Sequence, residues 1–153
     1  MKPSENLIVD SFLPKSAPAG QSKQLQESAP FTLPPLVQKL REGFKLLEFQ
    51  RLQDLLRIPE EELARYLGIS SATLHRRKKQ GQLETPESER IVRFARLFGL
   101  GVEVFGSQDA SREWLKTPNP GTAAEAPLSY ADTEFGAREV ENLLGRIDYG
   151  VFS

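Results

Sequence analysis

The sequence predicts an all-α protein, and three observations lead to that prediction. Apolar residues recur at helical spacing in several segments, as Val140, Leu143, Leu144 and Ile147 do near the end of the chain. Residues that start helices and residues that stop them bracket these segments in order. No stretch alternates apolar and polar residues in the manner of a half-buried strand, and no internal repeat is present.

The first third of the chain divides into an arm and a series of helices. Residues 1–33 contain four prolines and a Ser-, Gln- and Ala-rich stretch without periodicity, so we expect a mostly flexible arm. Its short apolar pieces, at 7–9 and 12–13, could dock on the rest of the protein, but the sequence does not indicate where. Helices are then expected over 34–42, 44–56, 59–67 and 70–80, with Ser70 as an N-cap and Gly81 as a stop.

The remaining elements follow from the same kinds of signal. Thr85-Pro86 predicts a helix start with Thr85 as the cap, and Gly99 predicts its end. A short helix is expected over 102–105, and Asp109 is expected to cap another that stops at Pro118. Residues 117–127 are expected to form a loop, and the last helix should cover 135–148. The predicted divisions are an arm over 1–33, one domain over 34–99 and another over 100–153.

Composition limits the classes of function. The 153 residues include no cysteine, which excludes disulfides, Cys-ligated zinc and thiol chemistry. No apolar run reaches the length of a membrane span, and the N-terminus lacks the apolar core of a signal peptide. We therefore expect a soluble cytoplasmic protein with no membrane association.

Charge is unevenly distributed, although the formal net charge is only −1. Residues 36–100 hold 13 Lys and Arg against 9 Asp and Glu, a net +4. Residues 118–153 hold 2 against 6, a net −4. A basic middle beside an acidic end indicates two different partners, one of them polyanionic.

Residues 60–79, EEELARYLGISSATLHRRKK, have the layout of a helix-turn-helix. The small and apolar residues that such a motif requires are Leu63, Ala64, Leu67, Gly68, Ile69 and Leu74. Ser and Thr near the start of the second helix are suited to base edges, and the cations after them to phosphates. The predicted DNA-binding residues are Ser71, Thr73, His75, Arg76, Arg77, Lys78 and Lys79.

Three further features qualify this interpretation. Arg77 stands where many such motifs have an apolar residue, and Leu83 is expected to supply the packing that is lost. Arg90, Arg93 and Arg96 are expected to form a second basic stripe on the next helix. A homodimer is expected because such modules commonly read paired half-sites. The alternative is a helical hairpin whose charged face is merely solvated.

An enzyme is not predicted. His75 is the only histidine and lies inside the basic helix, where a phosphate contact or a bland surface role is more typical. No metal-ligand spacing or Gly-rich phosphate loop is present, and Ser or Thr nucleophiles would lack a base. We therefore predict no catalytic residues, no cofactor and no metal.

The end of the chain, residues 130–153, combines an amphipathic helix with an aromatic tail. Tyr149, Val151 and Phe152 are costly to expose unless this protein or a partner buries them. The residues alone leave two alternatives open, a helix that closes the protein's own core and a helix that binds a partner.

From about Leu36 to Ser153 the chain resembles the Xre/MbcA/ParS family of bacterial antitoxins. The matching stretches are ARYLGISSATLHRRKKQGQL, ESERIVRFARLF, EVFG, WLKTPNP and TEFGAREVENLLGRIDYGVFS. The last is the most specific, because residues without a general folding role fall in the family's order: Thr133, Gly136, Arg138, Gly145, Arg146, Tyr149 and Gly150. One departure is that the family often has a Gly pair before the Pro-Leu found here at 127–128, where this chain has Gly121-Thr-Ala-Ala-Glu-Ala.

The resemblance implies a helix-turn-helix of the phage-repressor type followed by a small helical toxin-binding domain. It also implies a toxin encoded by the adjacent gene, usually a RES-domain enzyme that consumes NAD or a related ADP-ribosyl-transferring fold. The antitoxin would cover the active site of that toxin, and the complex would repress its own promoter. The predicted toxin-binding residues are Arg138, Asn142, Arg146, Asp148, Tyr149, Val151, Phe152 and Ser153.

The hypothesis for the tail is that it enters the NAD pocket of the toxin. Tyr149 and Phe152 would stack there, and the carboxylate of Ser153 would mimic a substrate phosphate. Arg146 and Asp148 would fix the approach by charge-assisted hydrogen bonds. Two rival functions are a plain helix-turn-helix repressor whose C-terminal region only dimerises, and a protein-binding adaptor whose DNA-binding role is lost.

Overall fold

The computed structural model describes residues 7–14 and 33–150. Within these ranges the chain forms eight α-helices and two 3-10 turns but no strand, which confirms the all-α prediction. The helices are α1 (Leu33–Glu42), α2 (Leu46–Leu56), α3 (Glu60–Tyr66), α4 (Ser71–Gln80), α5 (Thr85–Phe105), α6 (Gln108–Lys116), α7 (Pro127–Tyr130) and α8 (Glu134–Asp148). The predicted helices 34–42, 44–56, 59–67, 70–80 and 135–148 agree with α1, α2, α3, α4 and α8 within two residues at each end.

Helix α5 is the centre of the fold. It contacts α1, α2, α6 and α8, and Ile91, Phe94 and Phe98 on it are fully buried. Its N-cap is Glu84, which forms a reciprocal capping box with Glu87, so the prediction of Thr85 as the cap was wrong. No helix in the described ranges is long and apolar enough to cross a membrane.

Gly99 does not end a helix, contrary to prediction. Helix α5 continues through it to Phe105 and stops at Gly106, which has a φ of +86°. The predicted separate helix over 102–105 is therefore the last turn of α5, and the predicted domain boundary after residue 99 falls inside one continuous helix. Gly99 is small for another reason, because a Cβ there would clash with the backbone carbonyl of Phe12.

That carbonyl belongs to the N-terminal segment, residues 7–14, which packs on α2 and α5 around a 3-10 turn at Val9–Phe12. Val9 is 1% exposed, and the buried Glu48 carboxylate accepts hydrogen bonds from the backbone N–H groups of Ile8 (2.7 Å) and Val9 (3.0 Å). Within the arm, which was expected to be mostly flexible, the apolar pieces of residues 7–14 dock on α2 and α5, where buried side chains and the Glu48 carboxylate hold them. The rest of the predicted arm up to residue 32 lies outside the described residues.

The region after α5 also differs from prediction in detail. Helix α6 is capped by Ser107, whose hydroxyl accepts from the N–H of Ala110 at 3.0 Å, and not by Asp109. The expected loop 117–127 contains a 3-10 turn at Pro120–Thr122 and includes the first residue of α7.

Candidate functional site

Helices α3 and α4 form the predicted helix-turn-helix. All five apolar residues assigned to its interior are buried: Leu63, Ala64, Leu67, Ile69 and Leu74. Gly68 has a φ of +70° at the corner, where the backbone must turn in the left-handed region. The N–H of Ile69 donates to the carbonyl of Ala64 (2.8 Å), and the Arg90 guanidinium donates to the carbonyl of Leu67 (2.6 Å). These bonds satisfy backbone groups at the end of α3.

Helix α4 exposes most of the residues predicted to bind DNA. Ser70 caps it and accepts from the N–H of Thr73 at 3.2 Å. Thr73 is half-buried, and its hydroxyl accepts from Arg76 at 3.3 Å. The exposed members of the predicted set are Ser71, His75, Arg76, Lys78 and Lys79.

Arg77 is the exception. Its side chain is 7% exposed and donates to both carboxylate oxygens of Glu87, at 2.8 and 3.1 Å, with Glu84 at 3.2 Å. The hydrogen bond to Glu87 raises the pKa of Arg77 above its ordinary value. The assignment of Arg77 as a DNA contact therefore does not agree with its position. A buried ion pair fills the site where an apolar residue is common, and Leu83, from which the lost packing was expected, is buried with 2% exposure.

Acidic residues reduce the positive charge of α4 further. Lys78 pairs with Glu60, at the start of α3, with a distance of 2.9 Å. A groove of about 650 Å³ between α3 and α4 is lined by both of these residues and by Glu61 and His75. Arg76 and Lys79 are the two cations of α4 that make no ion pair within the described part of the chain.

Arg93 and Arg96, two members of the expected second basic stripe, form ion pairs within the protein. Arg93 pairs with Glu134 at 3.3 Å and also donates to the carbonyl of Asp132 at 3.0 Å. Arg96 pairs with Glu141 at 2.7 Å. Part of the positive charge in the middle of the sequence therefore pairs with part of the negative charge at its end, and these ion pairs join α5 to α8.

Helix α8 has an inner face and an outer face. The inner face is buried and consists of Gly136, Ala137, Val140, Leu143 and Leu144. At about 100° per residue, five exposed residues fall within about 80° of each other on the opposite side. These residues form the outer face of α8: Phe135, Arg138, Asn142, Arg146 and Tyr149. The exposed Glu139 borders this face, about 20° around the helix from Arg146.

The structure thus brings together four of the predicted toxin-binding residues, Arg138, Asn142, Arg146 and Tyr149. Asp148 is exposed but lies roughly 200° around the helix from Arg146, so the two do not act from one side. Val151, Phe152 and Ser153 lie outside the described residues.

Sequence reasoning missed Phe135, which is 79% exposed on the same face. The available signal was that this apolar residue does not fit the stripe of Val140, Leu143, Leu144 and Ile147.

Two domain families match the chain in the order that the fold suggests. The antitoxin Xre-like helix-turn-helix domain matches residues 35–96. The antitoxin Xre/MbcA/ParS C-terminal toxin-binding domain matches residues 100–150.

Two relatives match about three quarters of the chain. The protein called antitoxin Xre of Yersinia enterocolitica is 38% identical over 120 residues, which are 77% of this chain and 81% of that protein. Antitoxin Xre of Photorhabdus laumondii is 34% identical over 116 residues, 74% of this chain and 78% of the relative. The chain belongs to the Xre family of antitoxins.

The chain is therefore the antitoxin of a toxin-antitoxin pair, and its C-terminal domain binds a cognate toxin. This family is one of antitoxins and not of enzymes. Helix α8 and its outer face lie within the toxin-binding domain, and α3 and α4 lie within the helix-turn-helix domain.

Proposed function

We propose that this antitoxin neutralises a RES-type, NAD-consuming toxin by covering its active site with the end of α8 and the tail that follows. The observation that carries this proposal is Tyr149, which is 83% exposed at the end of a helix whose inner face is fully packed. A large ring presented in this way is suited to burial in a partner. The RES type of the toxin rests on the family resemblance.

In the proposed complex, Tyr149 and Phe152 occupy stacking positions in the NAD pocket. Arg146, on the same face as Tyr149, guides the approach through charge-assisted hydrogen bonds. Asp148 lies on another side of α8, so any contact that it makes is with a different part of the toxin.

The test expresses the toxin from the reading frame next to that of this chain, together with the full antitoxin or with a form in which residues 149–153 are replaced by five Gly and Ser residues. We expect the replaced form to lose neutralisation, and cellular NAD to fall, while promoter binding is unchanged. Full neutralisation by the replaced form would contradict the role of the tail. Toxicity without a fall in NAD would contradict the RES assignment.

We also propose that α4 binds operator DNA as part of a homodimer and represses the operon. Arg76 and Lys79 supply phosphate contacts, and Ser71, Thr73 and His75 lie toward the start of α4, where base edges are commonly read. Replacing Arg76 and Lys79 with Ala removes two phosphate contacts from each protomer of the dimer, so it should weaken binding of the promoter fragment and lower the magnitude of the slope of log affinity against log salt by about 4. Arg41→Ala, on exposed α1, is the matched control and should leave both unchanged.

A protein-binding adaptor without a DNA role is the second candidate. It is favoured by the inward position of Arg77 and by the pairing of Lys78 with Glu60, which leave α4 with little accessible positive charge. If neither the antitoxin nor its toxin complex shifts the promoter fragment at low salt, the adaptor is the correct function.

A further inference from the structure

We propose that the outer face of α8 is itself a docking surface for the toxin, with Phe135 as a second aromatic anchor far from the tail. The inference deepens the proposed function, since it rests on contact between the toxin and the C-terminal segment. It adds a site at the opposite end of α8 and states what the toxin must present there.

Phe135 has no folding role that the structure shows. Its side chain is 79% exposed, compared with 48% for Leu47 and 40% for Val37, the exposed aliphatic residues of the described regions. Helix α8 packs against the core through its inner face, on the side opposite to Phe135, so the ring at position 135 adds nothing to the core. An isolated large aromatic ring on a rigid helix is typical of the residues that dominate binding energy in protein interfaces.

The start of α8 holds Phe135 firmly in place. Thr133 caps the helix and accepts from the N–H of Gly136 at 3.0 Å, and a Cβ at Gly136 would clash with the carbonyl of Tyr130. Glu134 pairs with Arg93 and lies 3.7 Å from Arg96, so α5 anchors this turn as well. A side chain presented by a fixed turn loses little entropy on binding, which favours affinity.

The charge of the outer face is unlike that of its surroundings. Arg138 and Arg146 are the only Lys or Arg in residues 118–153, and both lie on this face. Neither makes an ion pair within the described residues, whereas Glu134 and Glu141 on α8 are paired with arginines of α5.

The outer face therefore presents two arginines between two aromatic rings over about 21 Å, the length of fourteen helical residues, with one carboxylate, that of Glu139, at its edge. Its occupant is the toxin, through a surface with an acidic strip between two apolar recesses. One recess receives Phe135, the strip lies against Arg138 and Arg146, and the other recess receives Tyr149.

The test measures the affinity of purified full-length antitoxin for the purified toxin of the adjacent reading frame by calorimetry. Phe135→Ala should weaken binding by about 30-fold or more, as expected for an aromatic anchor that is buried in a recess of the partner. Leu47→Ala, which truncates an exposed apolar residue on α2, is the matched control and should bind like the wild type. Both variants should melt at the wild-type temperature because both side chains are exposed.

Arg138→Glu tests the acidic strip separately. It should weaken binding and reduce the loss of affinity that added salt causes, whereas Arg41→Glu on α1 should change neither. If Phe135→Ala and Arg138→Glu both bind as tightly as the wild type, the docking surface is refuted.

The two proposals fail in different ways. Loss of neutralisation on replacing residues 149–153, with wild-type affinity for Phe135→Ala, refutes the docking surface and leaves the tail mechanism standing. Full neutralisation by the replaced form, with weak binding by Phe135→Ala, refutes the tail mechanism and supports the docking surface. A toxin that does not bind the wild-type antitoxin refutes both.

Discussion

Helices α4 and α8 both carry cations on an exposed face, but the fold uses them differently. In α4 four basic residues follow one another, from Arg76 to Lys79, and in α8 two arginines stand eight residues apart. One member of the α4 run is buried and a second is paired with Glu60, whereas both arginines of α8 are exposed and unpaired within the described chain. Helix α8, which has fewer basic residues, therefore presents as many accessible unpaired cations as α4 does, two on each helix within the described residues.

Helix geometry explains the difference. Successive residues advance by about 100°, so a run of four spans most of the circumference and one of its members must face the core. Arg77 is that member. Arg138 and Arg146 are separated by about two turns and stay on one side. Spacing at helical period is thus a better guide to an accessible charged surface than the number of consecutive basic residues.

The largest effect that can separate the two kinds of cation is expected at Arg77. Arg77→Ala leaves the buried carboxylate of Glu87 without its main partner and should lower the free energy of unfolding by about 3–5 kcal/mol. Arg76→Ala, one residue away on the exposed side, should change it by less than about 0.5 kcal/mol. Chemical denaturation of both variants measures the contrast. Equal stabilities would show that Arg77 is not structural.

Much of the fold could be predicted from the sequence because local signals determine it. The Ser70 cap, the Gly68 turn and the stripe through Val140 and Leu144 are short-range patterns that fix α3, α4 and α8. The outer face of α8 was predicted in part. The predicted binding residues on it are Arg138, Asn142, Arg146 and Tyr149, and Phe135 was not predicted. Phe135 was missed because an apolar residue in an amphipathic helix is ordinarily assigned to the core.

The errors came from contacts between residues distant in sequence. Gly99 looked like a helix stop, but it is small because Phe12 lies against it from 87 positions earlier. The arginines of α5 looked like a second basic stripe, but Arg93 and Arg96 pair with carboxylates of α8 and Arg90 donates to the carbonyl of Leu67. Neither contact leaves a local pattern, so propensity and periodicity do not reveal it.

The second prediction compares two glycines within helices. Gly99→Ala should destabilise the protein by about 1–3 kcal/mol, because the added methyl group clashes with the Phe12 carbonyl and displaces the N-terminal segment. Gly145→Ala has nothing within 4 Å of the new methyl group and should gain up to about 1 kcal/mol of helix stability. Thermal melting shows whether each variant is more or less stable than the wild type. Hydrogen exchange at the backbone N–H groups of Ile8 and Val9 shows whether the N-terminal segment is displaced. A Gly99→Ala variant that melts at or above the wild-type temperature would contradict the assigned role of Gly99.

The smallest effect concerns the buried carboxylate that holds the N-terminal segment. Burial raises the pKa of Glu48 above its ordinary value of 4.5. The hydrogen bonds that Glu48 accepts from the N–H groups of Val9 and Ile8 lower this pKa, but by less than burial raises it. The native state therefore binds this proton more tightly than the unfolded state does. The contribution of Glu48 to stability is greatest below pH 4.5 and is lost as pH rises through the raised pKa.

Glu48→Gln removes this titration and keeps one acceptor for the segment, while the charged neighbours Asp10 and Lys45 are unchanged. The wild type should therefore lose stability relative to the variant as pH rises from about 4 to about 7, the range in which a carboxyl group with a raised pKa loses its proton. The free energy of unfolding of the variant minus that of the wild type should become more positive over this range. Urea denaturation at several pH values measures this difference. A constant difference would show that the two N–H groups cancel the effect of burial, and a difference that moves toward the wild type would show that they outweigh it. Glu48 would then hold the N-terminal segment as a fully stabilised carboxylate, and the segment would tighten, not loosen, toward neutral pH.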